Sequence, residues 1–436
     1  MKIGVIGLGH VGLPTAAVLA KLGHDVAATD ADAEKMDVLE RGGAPFYEPG
    51  LEDLVNEVRG TGRLAFRKDL REVVDGSKVV FLCVGTPPKT TGEANLAMIE
   101  QAAADVATHA TTPLVVADKS TVPAGTAERV AETLTRYRPD GSFQVVSNPE
   151  FLREGNAVVD SLHPDRILVG SDSPEAHRVM REVYEPLIRD GAGWIETDLR
   201  TAELAKHACN AFLAMKVSFA NALARICEAA GADVVSVTRV MGADPRIGPA
   251  HLSAGLGYGG YCFPKDLQAF ERLATRLGYD FPLLREVERI NDEAVDAAFH
   301  RIEEVVWNME GKRVAVLGLA FKPGTDDIRF SPSIALTQRL LEAGAEVTAY
   351  DPQAAAGAKA ELPALQIAND AYDALEGAHC AVIATEWPEF RELDLDRMRG
   401  MMAFPIIVDC RNLLDDEAMA AAGFTYFPTG RPPVRP

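Results

Sequence analysis

The chain opens on an apolar run, Met1-Lys-Ile-Gly-Val-Ile, and turns at once into Gly7-Leu-Gly9-His10-Val11-Gly12 before a helical stretch from Leu13. No other feature narrows the fold as far. Three glycines at this spacing allow a tight turn, let backbone approach a phosphate, and let the next helix pack closely on the strand. The helix N-terminus then presents unpaired N–H groups and its dipole to a pyrophosphate. Asp30 closes the following β-rich run, eighteen residues after Gly12. A carboxylate there accepts from ribose hydroxyls and repels a 2′-phosphate, which favours NAD over NADP.

Short apolar runs continue at 3–6, 25–29, 79–84, 114–118 and 144–147, separated by helical stretches. Continuous apolar strands of this kind belong to a parallel sheet covered on both faces, and 166–170 is expected to close it. Residues 201–230 and 281–310 are Ala-rich or helical in pattern and suit a connector and dimer core. Strand character returns within Gly311–Ala320 and again near 346–350, 380–385 and 406–409. Val5-Ile-Gly-Leu-Gly9 and Val316-Leu-Gly-Leu-Ala320 match as strand-to-turn segments, and Asp30 and Asp351 each close a following strand. The expected fold is α/β, two Rossmann-like doubly wound domains joined by a long-helix central dimerisation region. Its boundaries are read as 1–198, 199–305 and 306–428, with a disordered Pro-rich tail at 429–436.

At 436 residues the chain exceeds one ordinary core. Its formal net charge of −20 leaves no basic footprint for nucleic acid. No apolar run approaches the roughly 18 residues of a membrane span. The chain starts directly on a strand, so no signal peptide is expected and a cytoplasmic location is. Six cysteines, Cys83, Cys209, Cys227, Cys262, Cys380 and Cys410, show neither a C-x-x-C pair nor zinc-ligand spacing, so no metal is expected.

Five of these thiols read as small buried hydrophobes. Cys262 differs. It follows Gly255, Gly257, Gly259 and Gly260, where backbone can approach a ligand, and Pro264 suits the first turn of a helix. A helix N-terminus favours thiolate, and Asp266 falls four residues on. A nucleophilic thiol beside a hydride-accepting cofactor points to an oxidation that passes an aldehyde and ends at an acid. Lys206 and Asn210, spaced i, i+4 on an otherwise apolar helix, would donate to an alkoxide or tetrahedral oxyanion. His207 reads as a helix-surface histidine. Glu150 or Glu154, following the strand at 144–147, could activate the water that hydrolyses a thioester.

Taken together, these motifs resemble the UDP-glucose/GDP-mannose dehydrogenase family of nucleotide-sugar 6-dehydrogenases. The resemblance spans the whole chain: Gly7–Gly12, Glu48-Pro49-Gly50, Gly85-Thr86-Pro87, Ser120-Thr121-Val122-Pro123, 148–155, Pro164-Asp165-Arg166, Lys206 with Asn210, 243–248, 259–266, 321–329 and Asp409-Cys410-Arg411. It implies oxidation of a sugar C6 alcohol to a carboxylate with two NAD+ and one water. Lys206 and Asp266 would assist removal of the hydroxyl proton, Asn210 would hold the oxyanion, and Cys262 would trap the aldehyde as a thiohemiacetal. Glu150 would assist hydrolysis of the resulting thioester, and Thr121 would orient the water. His10, Val11, Lys35, Thr86, Glu154, Lys265 and Arg329 would meet NAD. Phe151, Leu152, Arg153, Tyr258, Gly259, Lys322 and Arg411 would hold a UDP-sugar, and Arg246 would reach the substrate of a neighbouring subunit in a homodimer. Phe263-Pro264-Lys265-Asp266 resembles the UDP-glucose branch, with GDP-mannose or another UDP-hexose as the competing substrate. Tyr261 stands where serine is common in the family. A non-catalytic NAD-binding regulator would have no use for this acid–base and thiol set. A two-electron hydroxyacid dehydrogenase would need no Cys262.

Overall fold

A computed structural model describes residues 1–436. By internal contacts the chain forms two compact units, Met1–Cys209 with Gln268–Tyr279, and Asn210–Leu267 with Asp280–Pro436. Residues 199–305 are divided between these two units.

In the first unit eight strands form one sheet. They are β1 (Lys2–Ile6), β2 (Asp25–Thr29), β3 (Leu64–Phe66), β4 (Val79–Leu82), β5 (Leu114–Asp118), β6 (Phe143–Ser147), β7 (Arg166–Gly170) and β8 (Gly193–Thr197). Their order is β3-β2-β1-β4-β5-β6-β7-β8, parallel except for the single antiparallel pairing Ser147↔Gly170. The central strands β4 and β5 are buried at every residue, because helices cover both faces. The strand at 166–170 was expected to close the sheet; β8 pairs beyond it instead. No residue of β8, Gly-Trp-Ile-Glu-Thr, is fully buried, as suits an edge strand, and no long apolar run marks it.

In the second unit β9 (Arg313–Leu317), β10 (Glu346–Tyr350), β11 (Gln366–Ile367), β12 (Cys380–Ile383), β13 (Ile406–Asp409) and β14 (Thr425–Pro428) pair in the order β11-β10-β9-β12-β13-β14, all parallel. This repeats the arrangement of the first six strands. The match reaches single atoms. Gly7 N donates to Thr29 O at 2.9 Å, and Gly318 N to Tyr350 O at 2.8 Å. Leu8 N donates to Asp30 Oδ2, and Leu319 N to Asp351 Oδ2, both at 2.7 Å.

Two long helices, Leu199–Ala230 and Pro282–Val306, occupy the segments read as helical. The tail is not disordered as expected. Tyr426 and Val434 exchange backbone hydrogen bonds at 2.9 and 2.8 Å, and Gly430 N donates to Glu228 at 2.9 Å. No helix is long and apolar enough to cross a membrane.

Candidate active site

The glycine turn sorts its residues by what lies opposite them. A Cβ on Gly12 would sit 1.8 Å from Gly7 O, and one on Gly7, where φ is +93°, would sit 2.5 Å from Cys83 O. Those two glycines are required by the protein's own backbone. A Cβ on Gly9 would meet nothing within 4 Å, which leaves that backbone open to a ligand. His10 and Val11 complete the turn before the helix Gly12–Lys21, whose first turn carries no acidic side chain to compete for the dipole. Asp30 closes the cradle, taking Leu8 N at 2.7 Å and Lys35 Nζ at 2.9 Å. Burial raises the Asp30 carboxyl, but Lys35 and the N–H groups of Asp32 and Leu8 outweigh it and hold the group below the usual range. An ionised acceptor beside an open glycine fits the ribose and pyrophosphate of NAD.

The carboxyl ends of β5 and β6 carry the rest of the first unit's candidates. Thr121 follows β5, and Thr86 donates to its carbonyl at 3.0 Å. Glu150 follows β6, buried, with Lys206 Nζ 3.0 Å from its Oε1. Phe151 lies between two cations, with Arg166 3.9 Å and Lys206 5.3 Å from its ring centre. Leu152 N donates to Glu150, and Glu154 is half-buried one turn further on. Arg153 donates to Asp160 through Nε and Nη2, at 3.0 and 2.6 Å, and so braces this loop. His207, read as a surface histidine, is buried; Nε2 donates to Val122 O at 3.0 Å and its ring stacks on Phe270.

In the second unit Cys262 begins the helix Cys262–Arg276 and is half-exposed. Asp266, one turn along and buried, accepts from Asn210 Nδ2 and from Lys265 Nζ, each at 2.6 Å. Lys265 is therefore paired to a proposed catalytic carboxylate. Tyr261 lies between Lys265 Nζ and the guanidinium of Arg329, 5.6 and 4.5 Å from its ring centre, and Arg329 is itself bidentate to Asp327. The buried hydroxyl of Tyr258 has no hydrogen-bond partner within the protein. Lys322 lies over the Phe321 ring at 5.5 Å. Arg411, just past β13, donates to Ala384 O at 2.8 Å. Lys322 and Arg411 follow β9 and β13, at the carboxyl end of the second sheet, where open α/β sheets bind ligands.

The glycines before Cys262 were expected to admit a ligand. Their space is taken by protein: Cβ atoms on Gly255, Gly257, Gly259 and Gly260 would lie 2.4 to 2.7 Å from Cys410 O, Asn291, Phe330 O and Phe321. Gly259 can therefore meet substrate only through its backbone. Arg246 is 87% exposed at the side chain and holds Asp244.

Sequence reasoning placed Glu48 in a shared motif without giving it a role, and passed over Glu203. Glu48 takes Gly155 N and Ala157 N at 2.7 and 2.8 Å, and Glu203 takes Gly125 N and Ala127 N, both at 2.6 Å. Their partners lie 76 to 109 residues away in the chain, so no local pattern reveals them. A carboxylate on the apolar face of an Ala-rich helix is the one signal Glu203 leaves in the sequence.

Residues 1–188 match the NAD binding domain of the UDP-glucose/GDP-mannose dehydrogenase family, 200–293 its central domain, and 315–416 its UDP binding domain. UDP-glucose 6-dehydrogenases from Rhizobium meliloti and Pseudomonas aeruginosa are 44% and 43% identical, over 99% of this chain and 100% and 98% of theirs. The structure of a UDP-glucose dehydrogenase from Pyrobaculum islandicum superposes with a TM-score of 0.92 at 36% identity, covering 99% of this chain and 98% of that one. With three domain matches in order and relatives of this identity over its full length, the chain belongs to the UDP-glucose/GDP-mannose dehydrogenase family.

Proposed function

We propose that this protein is an NAD-dependent oxidoreductase, a UDP-glucose 6-dehydrogenase that converts UDP-glucose to UDP-glucuronate in the cytoplasm. Residues 1–198 bind NAD, 306–428 bind the UDP-sugar, and 199–305 supply the thiol loop and the dimer contact. The observation that carries this reading is Cys262, a half-exposed thiol opening a helix one turn from the Asp266–Asn210 pair.

NAD+ bound at the glycine turn supplies the hydride acceptor for each of two oxidations. Lys206 and Asp266 assist loss of the C6 hydroxyl proton. Asn210 spends one N–H on Asp266 and keeps a second for the oxyanion. The first oxidation leaves an aldehyde. The Cys262 thiolate adds to its carbon, forming a C–S bond and a thiohemiacetal. The second oxidation leaves a thioester. A water oriented by Thr121 then adds to the acyl carbon while Glu150 takes its proton. The C–S bond breaks, the thiol is regenerated and the sugar carboxylate departs. Tyr258, Phe151, Leu152, Lys322 and Arg411 hold the nucleotide sugar; Thr86, Glu154, Lys265 and Arg329 serve the cofactor.

The protein acts as a homodimer. Phe212, Phe219 and Ile226 recur at intervals of seven along the helix Leu199–Ala230 and are 59%, 51% and 61% exposed, an apolar line suited to the same helix of a second copy. Arg246 reaches the partner's substrate.

NADH release measured side by side with UDP-glucose, UDP-galactose, UDP-N-acetylglucosamine and GDP-mannose tests the proposal. UDP-glucose should give the highest kcat/KM and two NADH per sugar. A preference for GDP-mannose would move the substrate, and one NADH per sugar would remove the thiol chemistry.

A further inference from the structure

The loop after β5 is gripped by one face of the long helix. Arg200, Glu203 and His207 are spaced i, i+3, i+7, so they share that face. Each holds a different point of the segment, in reverse chain order. Arg200 is bidentate to Glu128 at 2.7 Å, Glu203 takes Gly125 N and Ala127 N, and His207 donates to Val122 O. The series runs from the first turn of the helix Thr126–Tyr137 to the residue next to Thr121. Lys206, between Glu203 and His207 in sequence, reaches Glu150.

We infer that Glu203 is a positioning residue, which with His207 fixes the Thr121 loop to the helix that carries Lys206 and so holds in place the threonine that orients the hydrolytic water. This rests on the reading of Thr121 as the residue that orients that water. The buried charge lies where the clamp needs it. Asp118, at the end of β5, is pushed up to about 8 by burial and by the neighbouring Glu203. Glu203 is raised by burial to about 7, against the pull of the Ala127 and Gly125 N–H groups. Each oxygen of Glu203 accepts one N–H, which favours its carboxylate, whereas Asp118 Oδ2 has no partner within the protein. A glutamine at 203 has the same shape but a single acceptor oxygen, so one N–H loses its partner.

The test is a double-mutant cycle on the full-length enzyme with Thr121→Ala, Glu203→Gln and the two combined. Steady-state rates are read together with the intact mass of acyl-Cys262 during turnover. Glu203→Gln should lower kcat by about 10- to 100-fold, the scale of a misplaced reacting group. The KM for UDP-glucose and for NAD+ should stay within about twofold, and the covalent adduct should accumulate. The double variant should be no slower than Thr121→Ala alone. Full activity in Glu203→Gln, or two losses that multiply, overturns the inference and leaves the Thr121 reading standing. A fully active Thr121→Ala overturns both. If Glu203→Gln does not fold, His207→Phe takes its place in the same cycle; it keeps the ring on Phe270 and removes the bond to Val122.

Discussion

At the scale of single residues, burial decides which ionisable groups can act. It pushes the thiols of Cys83 and Cys380 up to about 12 and raises those of Cys227 and Cys410, so none of them is a nucleophile at neutral pH. Cys262, half-exposed at a helix N-terminus, is not sealed in this way. Asp118 is the complementary case, a buried carboxyl held by Ser120 N at one oxygen and by nothing at the other. Its proton is retained to about 8 in the fold, against 3.8 for the ordinary group. Between those values the folded state binds more protons than the unfolded one, so stability falls as pH rises. For one group the slope reaches about 1.4 kcal/mol per pH unit. Asp118→Asn removes this proton linkage. Urea unfolding between pH 5 and 8, a range set by roughly these pKa values, should show a shallower loss of stability in the variant. Parallel pH profiles for the two proteins would refute the assignment.

At the scale of the element, the N-terminal strand, turn and helix separate steric glycines from the one that faces a ligand. Gly12→Ala forces a Cβ onto Gly7 O and should lower Tm sharply or prevent folding. Gly9→Ala places its methyl in open space, so Tm should stay within about 2 °C while NAD+ affinity drops about tenfold or more through the lost approach to pyrophosphate. Equal melting losses in both variants would contradict this division. The turn was legible in the sequence because its requirements are local, a strand, three glycines and an acid at a set distance. The thiol loop was half legible. Cys262 at the start of a helix followed from Pro264, but the reason for the glycines did not, since Phe321, Phe330, Asn291 and Cys410 come from distant segments. The same limit hid β8, an edge strand without an apolar run, and the grip of Glu203 on Gly125 and Ala127. It also produced the expectation of a disordered tail. Proline content argued for disorder, whereas Arg431, ion-paired to Asp233 and Asp416, and the Tyr426–Val434 pairing hold the segment.

At the scale of the whole molecule, one topology is used twice with two outcomes at the same turn. In the first sheet Asp30 keeps an open approach beside Gly9. In the second, Asp351 is saturated by Leu319, Ala320, Gln353 and Ala354 N–H groups and by Trp387 Nε1, and the counterpart of Gly9 is Ala320, which is fully buried. The repeated turn lacks an open glycine in the second unit, which agrees with the proposal that the dinucleotide is taken by the first unit alone and the nucleotide sugar by Lys322 and Arg411 in the second. The apolar line on the helix Leu199–Ala230 extends the logic to two chains. If Arg246 serves the partner's substrate, a dimer in which one chain lacks the thiol and the other lacks the arginine retains one whole site. Cys262→Ser and Arg246→Ala homodimers should each be nearly inactive. Co-expressed with different tags and purified as the heterodimer, they should recover roughly half of wild-type activity, one competent site in two. An inactive heterodimer would mean that Arg246 acts within its own chain. If no heterodimer can be isolated and light scattering returns 46.9 kDa, the chain is a monomer and the exposed phenylalanines need another explanation.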